Sequence, residues 1–147
     1  MPDKETLERA EQDEREGKAA STQAGEFVRE EIEHIREGKH GARSAKQAIA
    51  IGLSKARRAG VKLPTPKNAS KEVKEQAVRD ARRGRSAGKK TKVSAKRSRA
   101  TTRALKREGH SAASKTALSR QARSAAAKRS AASRSRSAKK AASTRKM

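Results

Sequence analysis

The chain has 147 residues, and its 40 Lys and Arg against 16 Asp and Glu give a formal net charge of +24. Leu, Ile, Val and Phe number only 15, which excludes a large apolar core because burial must offset an ordering cost of about 1–2 kcal/mol per residue. The absence of cysteine excludes disulfides and thiolate metal sites, and no apolar run approaches the roughly 18 residues of a membrane span. We therefore expect a soluble, cytoplasmic protein with one small helical unit and long solvated flanks.

The two signs of charge are separated along the chain. Residues 1–38 hold twelve of the sixteen acidic side chains, whereas residues 85–147 hold twenty-one Lys or Arg and a single acid. This gradient predicts three regions: an acidic helical head at 1–21, a small helical module at 22–84 and a disordered basic tail at 85–147.

A first helix is predicted in the acidic head. Asp3 is a suitable N-cap, and Glu5 lies in the first turn, where the helix dipole favours an acid. Leu7 and Ala10 are its main apolar positions, so the helix is marginal in isolation. Gly17 is expected to end it.

A second helix is predicted over residues 24–37. Its apolar positions follow i, i+4, i+7 spacing, which is one face of a helix. These positions are Phe27, Val28, Ile32 and Ile35. Gly38 is a natural stop because glycine adopts the left-handed conformation that ends many helices.

The stretch KQAIAIGLSKARRAG predicts a third helix, with Ser44 as its N-cap and Gly60 as its stop. Ile49 and Leu53 share one face, although their alternation with Ile51 also permits a strand. The flanking Ala, Lys and Arg residues and the length of the segment favour the helix. Gly52 costs up to about 1 kcal/mol inside a helix, but it permits close approach of a second helix.

After a loop at Pro64, a fourth helix is predicted to start at Ser70 and to end at Gly84. Val73 and Ala77 lie on its thin apolar face. The expected fold class is mainly α, either a helical hairpin or a three-helix module with a long disordered basic tail. The predicted helical core comprises Phe27, Val28, Ile32, Ile35, Ile49, Leu53, Val73 and Ala77.

From Arg85 onward the chain consists almost entirely of Ala, Ser, Lys and Arg, with near-repeats such as SAKRSRA and SAAAKRSAAS. Leu105 and Leu118 are the large apolar residues in this region after Val93, so no core is expected there. Ala, Lys and Arg are good helix formers, which allows transient helix. The tail is expected to behave as a flexible polyelectrolyte.

The segment KHGARSAKQAIAIGLSKARRAG resembles a family of small bacterial proteins that carry a domain of unknown function. The resemblance covers roughly residues 26–63 and depends on the run from Gln47 to Arg57. It implies a bacterial source and a small helical module, and it implies no established activity. The tail also resembles the Ala/Ser/Lys-rich arms of bacterial histone-like proteins and of linker histones.

Nucleic acid is the partner that the charge favours, because Lys and Arg on such a chain bind phosphates through release of condensed counterions. Lys55, Arg58 and Lys62 also form a basic stripe by their spacing. The candidate nucleic-acid-binding residues are Arg43, Lys46, Lys55, Arg57, Arg58, Lys62, Lys89, Lys90, Lys96, Arg97, Arg99, Lys128, Arg129, Arg134, Arg136, Lys139 and Lys140. The predicted function is non-sequence-specific DNA binding by a histone-like, nucleoid-associated protein.

A second hypothesis is a helical protein-interaction or stress-related module that contacts RNA or the ribosome through its tail. A homodimer is plausible under either hypothesis because the helices have thin apolar faces. Sequence-specific reading is disfavoured, since Gln47 is the one candidate for contact with a base edge.

Catalysis and metal binding are not expected from the sequence. Glu31 and His34 have the E-x-x-H spacing of di-iron bundles, but neighbouring acids suggest a solvated helix face. His40 and His110 have no partners at ligand spacing. We therefore predict no enzyme activity, no cofactor, no metal and no small-molecule ligand.

Overall fold

The computed structural model describes residues 2–86 and 94–146, and throughout these ranges the regular structure is helical. Seven α-helices and one short 3-10 turn follow one another, and no strand occurs in the ranges described. The helices are α1 (Lys4–Arg15), α2 (Ala20–Arg36), α3 (Ala45–Arg58), α4 (Lys71–Arg85), α5 (Ala95–Arg107), α6 (Lys115–Ala127) and α7 (Ala131–Lys146), with the 3-10 turn at Ser111–Ala113.

The predicted signals start α3 and end α2 and α3, whereas Asp3 precedes α1 without a side-chain capping bond. The Ser44 hydroxyl accepts a hydrogen bond from the Gln47 backbone amide at 3.2 Å, which caps α3. Gly38 and Gly60 follow α2 and α3 with φ angles of +78° and +101°, the left-handed conformation that glycine adopts at low cost. The mainly helical prediction is confirmed, and the alternative strand across Ile49 and Leu53 is wrong.

Helices α2 and α3 cross closely at Gly52. A Cβ atom added at Gly52 would lie 2.6 Å from the Cα of Val28, so any larger residue would push the two helices apart. The cost of a glycine inside α3 is therefore offset by the packing that it permits.

Two apolar clusters form on the sides of this crossing. One contains Ile32, Ile35, Ala42, Ala48, Ala112 and Ala113, with Val28 and Leu118 packed against it. The other contains Ala10, Ala24, Phe27 and Ala56, with Leu7, Leu53, Val61 and Leu63 packed against it. Ile49 is partly buried on α3.

The acidic head is part of the helical module. Leu7 and Ala10 of α1 pack into the cluster of Phe27, so α1 gains from tertiary contact the stability that it lacks alone. The expected boundary between residues 21 and 22 falls inside α2, which begins at Ala20.

Helix α4 packs against α3 over its second half. Ser70 caps α4, but Gly84 lies inside the helix and is buried beside the Arg57 carbonyl, so it does not end the helix. Ala77 is buried, whereas Val73 is 50% exposed. The prediction of Val73 as a core residue is wrong, because the face that meets α3 starts one turn later.

The expectation of a long disordered basic tail is not met in residues 94–146, which form α5, α6 and α7. Ser94 and Ser114 cap α5 and α6 through bonds to backbone amides, and Ala, Lys and Arg favour helix. The expectation of no core in this region is also wrong. Ala112 and Ala113 are buried in the cluster of Ile35.

Backbone hydrogen bonds join this basic region to the module. The Gly41 amide donates to the Leu105 carbonyl at 2.9 Å, and the Ala42 amide donates to the Gly109 carbonyl at 3.0 Å. The Arg36 guanidinium donates to the Ala113 carbonyl at 2.9 Å. We call residues 94–146 the basic arm, and its docked part lies at 105–118.

Candidate functional site

The basic arm presents positive charge to solvent with almost no acidic partner. It contains 17 Lys or Arg and one acid, Glu108. The ion pair described for this region joins Glu108 to Arg43 at 3.9 Å, and within the described residues no Lys or Arg of the arm lies in a salt bridge. Unpaired surface cations of this density attract a polyanion.

The arm holds most of the cations predicted to bind nucleic acid. The exposed ones are Lys96, Arg97 and Arg99 on α5, Lys128 and Arg129 at the end of α6, and Arg134, Arg136, Lys139 and Lys140 on α7. Lys89 and Lys90 were also predicted, and they lie outside the described residues. No residue of α5, α6 or α7 is fully buried, so these helices offer their cations on open surfaces.

A basic cleft lies where α6 approaches the start of α3. Its volume is about 380 Å³, and Arg43, Lys46 and Arg120 line it together with Ser111 and Ser124. Arg43 and Lys46 were predicted to bind nucleic acid, but Arg120 was not. Only the docking of the arm brings Arg120 to this place, and the isolated Leu118 is the sequence signal that could have indicated it.

The predicted basic stripe on α3 is not a continuous surface. Lys55 is 20% exposed and binds buried carboxylates, so it is not available to a phosphate. Arg58 lies 3.7 Å from the buried Asp80 carboxylate. Arg57 donates to the Pro64 carbonyl at 3.2 Å. Lys62 remains exposed.

Glu30 and Glu31 lie in the interior of the protein, at 2% and 1% exposure. The interpretation of this helix face as solvated is therefore wrong. Glu31 Oε1 accepts a hydrogen bond from the Lys55 ammonium, and Glu31 Oε2 lies 3.1 Å from His40 Nε2. His40 Nδ1 donates to the Gly41 carbonyl at 2.9 Å, which fixes its ring.

Glu30 faces the start of α1. Its Oε2 accepts a hydrogen bond from the Asp3 amide at 3.2 Å, while His34 Nε2 lies 3.1 Å from Asp3 Oδ2. The hydrogen bond from His34 lowers the pKa of the Asp3 carboxyl below its ordinary value. We call Asp3, Glu30, Glu31, His34, His40 and Lys55 the buried charge cluster; Glu30 and Glu31 form its interior, and the Asp3 side chain at its edge is 59% exposed.

This cluster could not be predicted from the sequence because three of its members join Glu30, Glu31 and His34 of α2 from other parts of the chain. Asp3 precedes α1, Lys55 belongs to α3, and His40 lies in the loop after α2. Within the described residues, two sets in the cluster have the spacing of metal ligands. One set is Glu31, His34 and His40, and the other is Asp3, Glu30 and His34.

The fold and these sites describe a small all-helical module with an attached basic arm. Residues 8–68 match the model of a family described as a family of unknown function (DUF6496). No curated protein and no solved structure matches the chain. The matched stretch includes α2, α3 and all of the charge cluster except Asp3, and it ends before the basic arm.

The comparison supports an uncharacterised domain over residues 8–68, and it does not test the KQAIAIGLSKARRAG signature. The likeness of the tail to histone arms has no counterpart among the matches. In the part of the chain that is described, no helix has both the length and the apolar character needed to cross a membrane.

Proposed function

We propose that this protein binds nucleic acid, chiefly duplex DNA, without reading its sequence, as a nucleoid-associated protein of histone-like character. The observation that carries the proposal is the basic arm, with 17 Lys or Arg, one acid and no buried residue in its helices α5, α6 and α7. Its role is binding through charge neutralisation, with no catalytic step.

The arm would act on the phosphate backbone. Each phosphate that a Lys or Arg neutralises releases condensed counterions, and this entropy gain is independent of base sequence. Because α6 and α7 carry cations around their surfaces, the arm can contact several phosphates in more than one orientation on the duplex. Phosphate contacts position a protein on the duplex and carry no direct sequence information.

Two further observations favour duplex binding without base recognition. Phe27 is the only aromatic residue of the chain among Phe, Tyr and Trp, and it is buried, so stacking on unpaired bases has no platform. The Gln47 side chain accepts a hydrogen bond from the Arg43 amide at 2.6 Å. Gln47, the one candidate for contact with a base edge, therefore has its side-chain oxygen engaged at the start of α3.

The basic cleft gives the arm and the module a shared contact. Arg43, Lys46 and Arg120 converge there within reach of the α3 N-terminus, where the helix dipole adds partial positive charge. A phosphate seated in this cleft would be met by residues of both regions.

The test is the salt dependence of affinity for a random duplex. The first variant is Arg134→Gln, Arg136→Gln, Lys139→Gln and Lys140→Gln on α7. We expect weaker binding and a shallower slope of log affinity against log salt, by up to about 3.6, because each lost contact contributes about 0.9.

A matched control keeps the net charge equal. It carries Lys4→Gln, Arg15→Gln, Arg29→Gln and Lys71→Gln, which are exposed positions of the module. Its slope should remain close to that of the unchanged protein. Equal losses in the two variants would show that net charge alone governs binding and would contradict a binding surface on the arm.

RNA or ribosome contact is the competing hypothesis, and competition distinguishes the two. Random duplex DNA and a structured RNA of equal phosphate number are titrated against a labelled duplex at one salt concentration. Preference for the duplex supports the proposal. Displacement at lower concentrations of the RNA would favour the ribosome-associated hypothesis.

A further inference from the structure

The buried charge cluster brings three carboxylates together with two imidazoles and one ammonium. Asp3, Glu30 and Glu31 contribute three carboxylates, while Lys55 contributes one ammonium. Charges inside a protein are costly unless they are paired or coordinate a metal. Lys55 and His40 both face Glu31, whereas the buried Glu30 and the exposed Asp3 converge on His34.

Glu30 also has an unused ligand atom. Its Oε1 is buried and accepts no hydrogen bond within the described residues. This oxygen lies 3.9 Å from His34 Nε2 and 3.9 Å from Lys55 Nζ. Buried carboxylate oxygens are normally satisfied, so an unpartnered one that faces an imidazole nitrogen points to a ligand between them.

The spacing of the three side chains fits a small metal ion. His34 Nε2 lies 3.1 Å from Asp3 Oδ2 and 3.9 Å from Glu30 Oε1. Tetrahedral zinc, with bonds of about 2.0–2.2 Å to nitrogen and oxygen, places its ligand atoms about 3.4 Å apart. Glu30 and His34 are four residues apart on α2, so the helix itself sets their separation.

We propose that Asp3 Oδ2, Glu30 Oε1 and His34 Nε2 bind one zinc ion, with water in the fourth position. Two carboxylates and a neutral imidazole balance the charge of a divalent cation. The imidazole nitrogen and the small ligand number favour zinc over magnesium, which prefers six oxygen ligands. The bound ion would connect the start of α1 to the middle of α2.

The alternative set of Glu31, His34 and His40 is less suitable. Both Glu31 oxygens already have partners, Lys55 on one and His40 on the other. A metal there would compete with the Lys55 ammonium for the same carboxylate. Glu30 Oε1 lies 3.9 Å from the Lys55 ammonium without a hydrogen bond to it, so a metal at the Asp3 and Glu30 set would replace the hydrogen bond between His34 and Asp3.

The experiment is isothermal titration of the full chain, freed of nucleic acid, with zinc chloride and separately with magnesium chloride near neutral pH. One zinc ion should bind per chain, and magnesium should give no saturable binding. His34→Gln should weaken zinc binding by more than the roughly tenfold to hundredfold that loss of a supporting hydrogen bond costs. The matched control is His110→Gln, an exposed histidine whose loss should leave binding unchanged.

Glu30→Gln keeps the test decisive if the His34 variant folds poorly. An amide removes the unpaired buried charge, so the metal-free variant should melt at or above the temperature of the unchanged protein. Zinc should raise the melting temperature of the unchanged protein and leave that of Glu30→Gln where it is. If Glu30 had only a structural role, zinc would raise the melting temperature of Glu30→Gln as much as that of the unchanged protein.

Three results would overturn the proposal. The first is the absence of saturable zinc binding to the full chain. The second is equal zinc affinity in His34→Gln and the unchanged protein. The third is a loss in His40→Gln as large as in His34→Gln, which would transfer the site to Glu31 and His40.

Discussion

The α1–α3 module and the basic arm use the same residue types in opposite ways. In the module, Lys55 and His40 are held against Glu31 in the interior. In the arm, lysines such as Lys139 lie on an open helix with no buried neighbour. The contrast shows that a Lys or Arg residue does not by itself define a binding surface. A cation that pairs with buried carboxylates, as Lys55 does, is not available to a phosphate.

The largest expected effect concerns Lys55→Met. The substitution removes the only ammonium that faces the buried Glu30 and Glu31 carboxylates within the described residues, and we expect a loss of about 3–5 kcal/mol in the free energy of unfolding. Urea denaturation followed by circular dichroism measures it. Lys139→Met on the arm is the control and should stay within about 0.5 kcal/mol; similar losses in the two variants would remove the contrast between module and arm.

A smaller loss is expected for Gly52→Ala. Its new methyl group would meet the Val28 backbone at 2.6 Å, and such overpacking costs about 1–3 kcal/mol. Gly25→Ala is the matched control, because Gly25 lies in α2 with nothing within 4 Å of an added Cβ. That control should gain up to about 1 kcal/mol from better helix propensity. If both substitutions changed the free energy of unfolding in the same direction, the close crossing of α2 and α3 would be contradicted.

Docking of the arm can be tested at Gly41. Any side chain there would collide with the Glu108 backbone, so Gly41→Ala should break the bonds to Leu105 and Gly109. Hydrogen exchange should then show loss of protection at the Gly41 and Ala42 amides, while α2 keeps its protection. Unchanged exchange at these two amides would mean that the arm is not held there.

The smallest effect is expected at a helix cap. Ser44→Ala removes the hydroxyl that accepts from the Gln47 amide and should cost about 1 kcal/mol. Ser94→Ala changes the corresponding cap of α5, where global stability should change less because α5 buries no residue. Thermal melts of the two variants compare the module directly with the arm.

The features that could be predicted from sequence depend on near neighbours in the chain. Ser44, Gly38 and Gly60 act through adjacent backbone, and the faces of α2 and α3 follow from helical spacing. The burial of Glu30 and Glu31 could not be predicted, because it requires Lys55 and His40 to meet them from other elements. Glu30 and Glu31 have charged neighbours in the sequence, a pattern that is typical of a solvent-exposed helix face.

The docking of the arm was hidden for a different reason. Ala112 and Ala113 are buried, yet they resemble many exposed alanines in the same low-complexity region. Small side chains fill the space above Ile35 because the backbones at Gly41 and Glu108 approach closely. Composition alone cannot distinguish alanines that pack from those that do not, so the arm was expected to have no core.

The attachment of the arm at residues 105–118 also limits how much of a duplex one chain can cover. Helix α6, whose first turn belongs to the attachment, has 13 residues and α7 has 16, which correspond to about 20 Å and 24 Å of helix at 1.5 Å per residue. Laid end to end they reach about 44 Å, or about 13 base pairs at 3.4 Å per step. Under the proposed binding mode, the arm beyond its attachment would therefore occlude no more than about that number of base pairs per bound chain.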